Sequence, residues 1–208
     1  MAAYRTLDDL KVDGQRILVR ADLNVPMKGG VVTDTTRLDR LAPTIKELSK
    51  RGARVIVLSH FGRPKGEPRA EFSLAHVAKA LSDVLETDVE FAEDCVGAPA
   101  ESVVNSMASG DVAVLENLRF HPGEETNDPG FAMQLAELGD LYVNDAFSAA
   151  HRAHASTEHL AHLLPNAAGR QMESELNALE RALGAPKRPV AAVIGGAKVS
   201  SKLAVLGH

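Results

Sequence analysis

Cysteine occurs once in these 208 residues and tryptophan not at all. With Cys95 alone, neither a disulfide framework nor a cysteine-based zinc site is expected within one chain. No apolar run approaches the ~18 residues that a membrane span needs, so no membrane partner is expected. The opening MAAYRTLDDL lacks a basic segment followed by an apolar stretch, so no signal peptide is expected and the cytoplasm is the expected location. Positive charge is not in excess. Lys and Arg number 23 against 28 Asp and Glu, a formal −5, which excludes a general nucleic-acid binder but not a local basic pocket. Aromatic residues make up 4% of the chain, too few for the stacking platforms that hold single strands. Neither GxxxxGK[ST] nor GxGxxG occurs, there is no Ser-His-Asp arrangement, and no repeat or low-complexity tract is present.

What is present is a recurring short run rich in Val and Ile, followed by polar punctuation and then a helical pattern. The runs are 16–20 (RILVR), 54–58 (RVIVL), 88–91, 111–115 (DVAVL), 140–143 and 189–194. Each reads as a strand buried on both faces, as parallel strands are. Helical periodicity lies between them. Leu38, Leu41, Ile45 and Leu48 mark a helix over 36–50, Ser73 caps one carrying Val77, Ala78 and Leu81, and further helices are expected over 98–107, 128–138 and 172–183. The alternation predicts an α/β, Rossmann-like three-layer αβα fold with a mainly parallel sheet of about six strands. Gly184 and the prolines at 186 and 189 predict a boundary, with one domain over 1–185 and the start of another over 186–208. One strand and one helix have nothing else to cover their apolar faces, so the chain reads as a cut piece of something longer.

Ligands of open α/β sheets bind beyond the carboxyl ends of the strands. Four of the runs are followed there by polar clusters: Asp22-Leu23-Asn24, His60-Phe61-Gly62-Arg63, Glu116-Asn117-Leu118-Arg119, and Asn144-Asp145-Ala146-Phe147 leading to His151-Arg152. Arg37, opening the first helix, leans over the same edge. Any one arginine is usually a solvated surface charge; four at one edge make a site. Arginine forks match phosphate and carboxylate, and Asp22 and Asn24 suit a hydroxyl. Arg37, Arg63, Arg119 and Arg152 less Asp22 give +3, which a phosphate monoester of about −1.5 to −2 plus a carboxylate nearly neutralises. A small phosphorylated acid is the expected ligand class. His151, His154, His159 and His162 invite a metal reading, but they lie along one element, and exposed imidazoles on an amphipathic helix over 157–164 are the better account. Cys95, beside Glu93 and Asp94, is not a nucleophile because their charge raises its pKa. After the last run, Gly195-Gly196-Ala197-Lys198-Val199-Ser200-Ser201-Lys202 places glycines, a helix start and two lysines together, an anion-binding arrangement.

Taken together, DLNVP (22–26), HFGRP (60–64), ENLRF (116–120), NDAF (144–147), HRAHAS (151–156) and GGAKVS (195–200) resemble phosphoglycerate kinases, in order and from about Tyr4 to the last residue. The resemblance implies a two-lobed glycolytic enzyme, hinge-bending and monomeric, that exchanges a phosphoryl group between 1,3-bisphosphoglycerate and ADP to give 3-phosphoglycerate and ATP with Mg²⁺. It implies that His60, Arg63, Arg119 and Arg152 hold the distal phosphate, that Asp22 and Asn24 fix the hydroxyl and carboxylate end, and that Arg37 contacts the carboxyl group and steadies the transferring phosphoryl. Lys198 is implied as catalytic, and Lys202, Gly195 and Gly196 as nucleotide-binding. No metal is expected on protein ligands of this chain, and ATP and ADP are expected to bind through a lobe beyond it. The chain alone is expected to bind 3-phosphoglycerate without turning over, and to be prone to self-association. A truncated phosphoglycerate-binding paralogue is the alternative. Three residues depart from the family pattern: Ser148 where glycine is common, Ser201 where aspartate is, and Arg170 where an apolar residue is.

Overall fold

Successive residues of the apolar runs point to opposite sides of a sheet, and here both sides are covered. The computed structural model describes residues 4–184 and 186. Its strands are β1 (Arg16–Arg20), β2 (Met27–Lys28), β3 (Val31–Val32), β4 (Arg54–Leu58), β5 (Val89–Ala92), β6 (Val112–Leu115), β7 (Leu141–Asn144) and β8 (Asn166–Ala168). Six of them form a parallel sheet in the order β5-β6-β4-β1-β7-β8, and β2 and β3 pair as a small antiparallel hairpin. Ile17, Val19, Val55, Val57, Val112 and Val114 belong to one core, whereas Leu18, Ile56, Leu58, Ala113 and Leu115 belong to the other. This period-two division of continuous apolar runs is what burial on both faces requires.

Helices α1 (Thr36–Lys50) and α2 (Ala75–Leu85) cover the first face with Leu38, Leu41, Ile45, Leu48, Val77 and Leu81. On the second lie α3 (Gly97–Ser106), the short α4 (Pro122–Glu125), α5 (Pro129–Ala136), a wide helical turn over Ala155–His159 and α6 (Leu160–Leu163). They contribute Ala100, Val104, Phe131, Leu135 and Leu160 to its core. The three-layer αβα expectation therefore holds. Helix α7 (Arg170–Leu179) follows β8.

One strand of the sheet matches none of the expected runs. The sheet is completed by β8, only three residues between Pro165 and Gly169, which pairs with β7 through Tyr142↔Asn166 and Asn144↔Ala168. Asn-Ala-Ala carries no β-branched residue and is too short for a periodicity, so only its pairing identifies it as a strand. The expected strand at 189–194 lies outside the described residues. The 157–164 helix is also modified. Its first part is the wide turn from Ala155, followed by a single α-turn. Helix α7 begins at Arg170, two residues before the expected start.

The chain divides into two units after Glu175. The first holds the whole sheet. The described part of the second is the end of α7 and a wide helical turn, Glu180–Gly184. Within the first unit the structure accounts for Arg170. Its Nε and Nη2 grip Glu47 of α1 at 2.8 and 2.9 Å, Nη2 and Nη1 reach Asp8 at 2.6 and 3.2 Å, and Nη1 reaches Glu173 at 2.9 Å. All the guanidinium's hydrogen-bonding edges are used to bind the amino-terminal turn, α1 and the start of α7 together. An apolar side chain at this position could not do this.

Candidate functional site

Because the strands are parallel and in register (Arg20 opposite Leu58 and Asn144, Val57 opposite Val114), the loops after β1, β4, β6 and β7 leave the sheet at one edge. Three buried polar side chains weld these loops. Ser59 Oγ donates to the Ala21 carbonyl at 2.9 Å and accepts from Leu23 N–H at 3.0 Å, fixing the 21–25 loop to β4. Asn117 is fully buried. Its Oδ1 accepts from Phe61 N–H and Arg119 N–H, both at 3.1 Å, and its Nδ2 donates to the Phe61 and Phe72 carbonyls at 2.7 and 2.9 Å. Glu116 accepts from Ser73 Oγ, Leu74 N–H and Asn117 N–H at 2.7–2.8 Å, holding the start of α2 to the same loop. Such satisfied buried networks rigidify what they touch.

On this frame, Asn24 Oδ1 accepts from Gly62 N–H at 2.9 Å and the Gly62 carbonyl accepts from Arg119 Nη1 at 2.8 Å. Gly62 sits at φ +60°, where a Cβ would meet the Phe72 ring at 2.4 Å, so this close approach requires glycine. Arg119 is 4% exposed. Its Nε lies 3.1 Å from Glu125 Oε1 but is not aimed at it, and so is a buried donor without a hydrogen bond. Burial lowers the Arg119 pKa from its ordinary value; Glu125 opposes this, and the charges of Arg152 and Arg20 add to it.

Arg20, the last residue of β1, is the residue that sequence reasoning missed. It is 1% exposed, with Nε donating to Ser156 Oγ at 2.8 Å, Nη1 to the Ala21 carbonyl, and Nη2 to His60 Nδ1 at 3.0 Å. Its counter-charge is Glu124, wholly buried and 4.0 Å away, whose oxygens accept from Ser156 N–H at 3.0 Å and Ser156 Oγ at 2.6 Å. The Ser156 hydroxyl thus relays between the two charges. The only signal in the sequence was an arginine closing the apolar run Ile17-Leu18-Val19.

A guanidinium has donors only, so His60 Nδ1 is the acceptor and the neutral ring carries its proton on Nε2. Burial pushes the His60 pKa down to about 3; Arg20, Arg119 and Arg152 contribute, and Asp22 opposes them. The unfolded chain takes up a proton near pH 6.5 and the folded one does not until about pH 3. His60 therefore costs stability as pH falls through this window, by roughly 1.4 kcal/mol for each pH unit below 6.5. Urea unfolding at pH 6.5 and 5 is expected to show this loss in the wild type. In His60→Asn it is expected to be smaller by that amount; equal losses in the two proteins would contradict it.

At the other end of the site, Asp22 pairs with Arg37, which opens α1 with its side chain 48% exposed. Asp22 also accepts from Asn24 N–H at 3.0 Å and from Ser148 Oγ. Burial raises its pKa, but the bonds from Ser148 and Asn24 and the charge of Arg37 outweigh it and hold the carboxyl below its ordinary value. Ser148, one of the three departures from the family pattern, is thus bonded to a candidate substrate residue. A cavity of about 230 Å³ opens here, lined in part by Asp22, Arg37, Asp145 and Ser148; His60, Arg119 and Arg152 do not line it.

The structure therefore gathers Asp22, Asn24, Arg37, His60, Arg119 and Arg152 at one edge. Arg152 acts through its field on His60 and Arg119. Arg63 is exposed on the His60 loop and makes no ion pair or hydrogen bond among the described residues. Gly195, Gly196, Lys198, Ser201 and Lys202 lie outside the described residues. Burial, and then the charges of Asp94, Glu124 and Glu116, push the Cys95 thiol well above its ordinary pKa, in line with its reading as no nucleophile. Among the described residues, the imidazoles of 151–162 do not converge on a shared metal position. No helix among them is long and apolar enough to cross a membrane.

A family model described as phosphoglycerate kinase matches residues 7–208. A phosphoglycerate kinase from Chelativorans sp. is 63% identical over 207 residues, which are 99% of this chain and 52% of the relative. One from Brucella melitensis biotype 1 is 62% identical over 205 residues, with the same coverage. The solved phosphoglycerate kinase structures from Coxiella burnetii and Pyrococcus horikoshii OT3 superpose with TM-scores of 0.88 and 0.86 at 40% and 35% identity, covering 98% of this chain and 51% of each of theirs. The chain spans about half the length of the curated relatives it matches. By sequence and by fold alike, it belongs to the phosphoglycerate kinase family.

Proposed function

We propose that this chain is the 3-phosphoglycerate-binding, amino-terminal lobe of a cytoplasmic glycolytic phosphoglycerate kinase, with the lobe over 1–185 and the connection to a nucleotide-binding lobe beginning at 186. The observation that carries this reading is the buried cationic cluster at the sheet edge, with Arg119 holding an unused donor there. Adding Arg20 to the sequence-based +3 and subtracting Glu124 and Glu125 leaves +2, a net positive charge that favours a ligand carrying a phosphate monoester of about −1.5 to −2. A neutral sugar would leave these charges unpaired at the moment water is excluded.

On this reading His60 donates Nε2–H to a phosphate oxygen while Arg119, Arg152 and the exposed Arg63 neutralise the phosphate. Asp22 and Asn24 receive the hydroxyl and carboxylate end. Arg37 exchanges part of its pairing with Asp22 for the substrate's carboxyl group. Phosphoryl transfer needs alignment and charge stabilisation more than covalent work, which suits a site of fixed cations without a general base. Mg²⁺ with ADP or ATP supplies the second phosphate-bearing partner through the other lobe, with Lys198, Lys202, Gly195 and Gly196 on this chain's side of it. Without that lobe the chain binds but does not turn over, and the complete protein is a monomer.

Calorimetric titration of the chain with 3-phosphoglycerate is expected to give one-to-one binding that weakens as salt is raised. A folded chain that binds nothing, or binds glycerate equally well, would overturn the proposal.

A further inference from the structure

At the same carboxyl edge of the sheet, beyond Arg119, the loops that follow the neighbouring strands β5 and β6 bring together three different metal-ligating side chains. Asp94 and Cys95 come just after β5, and His121 follows β6 and its short 118–120 turn. One ligand atom from each, Asp94 Oδ, Cys95 Sγ and a His121 ring nitrogen, lie within 4.8 Å of one another. His121 Nε2 and Asp94 Oδ1 already touch at 2.7 Å, and Cys95 N–H donates to the same oxygen at 2.6 Å, which fixes the carboxylate over the cysteine. His121 is held from behind by stacking on Phe131, 5.1 Å between ring centroids.

The Cys95 side chain is the unusual member. It is wholly buried and free, and its sulfur makes no hydrogen bond among the described residues. A buried thiol alone would be an ordinary small apolar filler. This one faces an imidazole and a carboxylate that are 31% and 39% exposed, so the trio is sealed on the sulfur side and open on the oxygen and nitrogen side. The open side gives onto a cavity of about 320 Å³ whose walls add Ser73, Glu93 and Glu116.

We propose that Asp94, Cys95 and His121 form a binding site for a borderline divalent transition-metal ion, of which Zn²⁺ is the type, with a fourth position left to water from the cavity. Metal–ligand bonds of about 2.0–2.3 Å at tetrahedral angles set ligand atoms about 3.3–3.6 Å apart, so the trio has only to draw the sulfur in and part the Asp94–His121 hydrogen bond slightly. Binding exchanges that hydrogen bond for two coordinate bonds and releases the thiol proton to solvent. The mixture of sulfur, nitrogen and oxygen donors selects against Mg²⁺ and Ca²⁺, which take oxygen alone. The ion would tie the β5 loop to the loop that carries Asn117 and Arg119. It differs from the sequence-based expectation that no metal sits on protein ligands of this chain, because a single cysteine finds its co-ligands only through the sheet.

Co²⁺ titration of the reduced, metal-free chain tests the site, because four-coordinate Co²⁺ absorbs strongly in the visible and a thiolate ligand adds a near-ultraviolet charge-transfer band. Both bands are expected to saturate at one equivalent, to bleach on addition of Zn²⁺ and to persist in millimolar Mg²⁺. Cys95→Ala is expected to abolish the charge-transfer band. Because that change reaches into the core, the half-exposed His121→Ala and Asp94→Asn provide a second test, with far-ultraviolet circular dichroism unchanged and saturation shifted to at least tenfold higher Co²⁺. Weak octahedral absorption without a charge-transfer band in the wild type, or an unaltered titration in the three variants, would overturn the proposal.

Discussion

Glu124→Ala is expected to destabilise the fold by about 3–5 kcal/mol, the cost of leaving one member of a buried ion pair uncompensated. Glu124 is 0% exposed, and its oxygens accept from both the N–H and the hydroxyl of Ser156 while facing Arg20 at 4.0 Å. Its removal leaves the Arg20 guanidinium in the interior with no anion, and leaves two Ser156 donors without acceptors. His154, whose Nδ1 is 3.8 Å from Glu124, loses its nearest carboxylate as well. Two comparisons separate these causes. Glu124→Gln keeps an acceptor of the same shape, and so isolates the charge. Arg20→Met combined with Glu124→Leu removes both charges, and is expected to recover much of the loss, because apolar replacements of buried pairs are often neutral. Urea unfolding with unchanged slope measures all three. A loss below about 1 kcal/mol for Glu124→Ala would mean that water reaches the pair and that the burial argument fails.

Arg119→Ala is expected to weaken 3-phosphoglycerate binding by about 10- to 150-fold, which corresponds to the roughly 1.5–3 kcal/mol of a hydrogen bond to a charged group. The reason is local. Arg119 is fixed by the Gly62 carbonyl through Nη1, and the half-exposed Glu125 neutralises it only in part. Its Nε–H is buried and makes no hydrogen bond, although Glu125 lies 3.1 Å away. A preorganised donor of this kind loses little entropy on binding. Arg63 is exposed and unpaired, so it must be ordered on binding, and Arg63→Ala is expected to cost less than Arg119→Ala. Arg119→Lys is expected to recover only part of the affinity, because a point charge cannot reproduce the planar fork. Calorimetry on variants with wild-type circular dichroism checks the order. Equal losses at positions 63 and 119 would remove the special place given to the buried donor.

Much of this protein was legible in the order of its residues. Five of the six sheet strands lie within a residue of the expected runs, because a strand buried on both faces must be written as a continuous apolar run. Helix α1 coincides with its expected span, since Leu38, Leu41, Ile45 and Leu48 repeat at the helical period and all enter one core. The edge at which polar residues collect followed from parallel strands alone. The motifs also carried the family.

The rest required atoms in space. Strand β8 has no periodicity and exists because β7 offers it a ladder. Arg20 looked like a strand terminus and is the buried anchor of His60, a role given by Ser156 and Glu124, more than 100 residues away along the chain. Arg170 stands in the sequence only as a departure from the family pattern, and its role comes from Asp8 and Glu47, which share its guanidinium. Cys95 looked inert because its partner His121 follows a different strand. The physical division is consistent. Burial and periodicity are properties of a segment, and the sequence by itself determined them: strands, helices, the layer order and the edge that collects charge. Pairing of charges, choice of a tautomer and convergence of ligands are properties of distances between segments, and only the tertiary structure decided them.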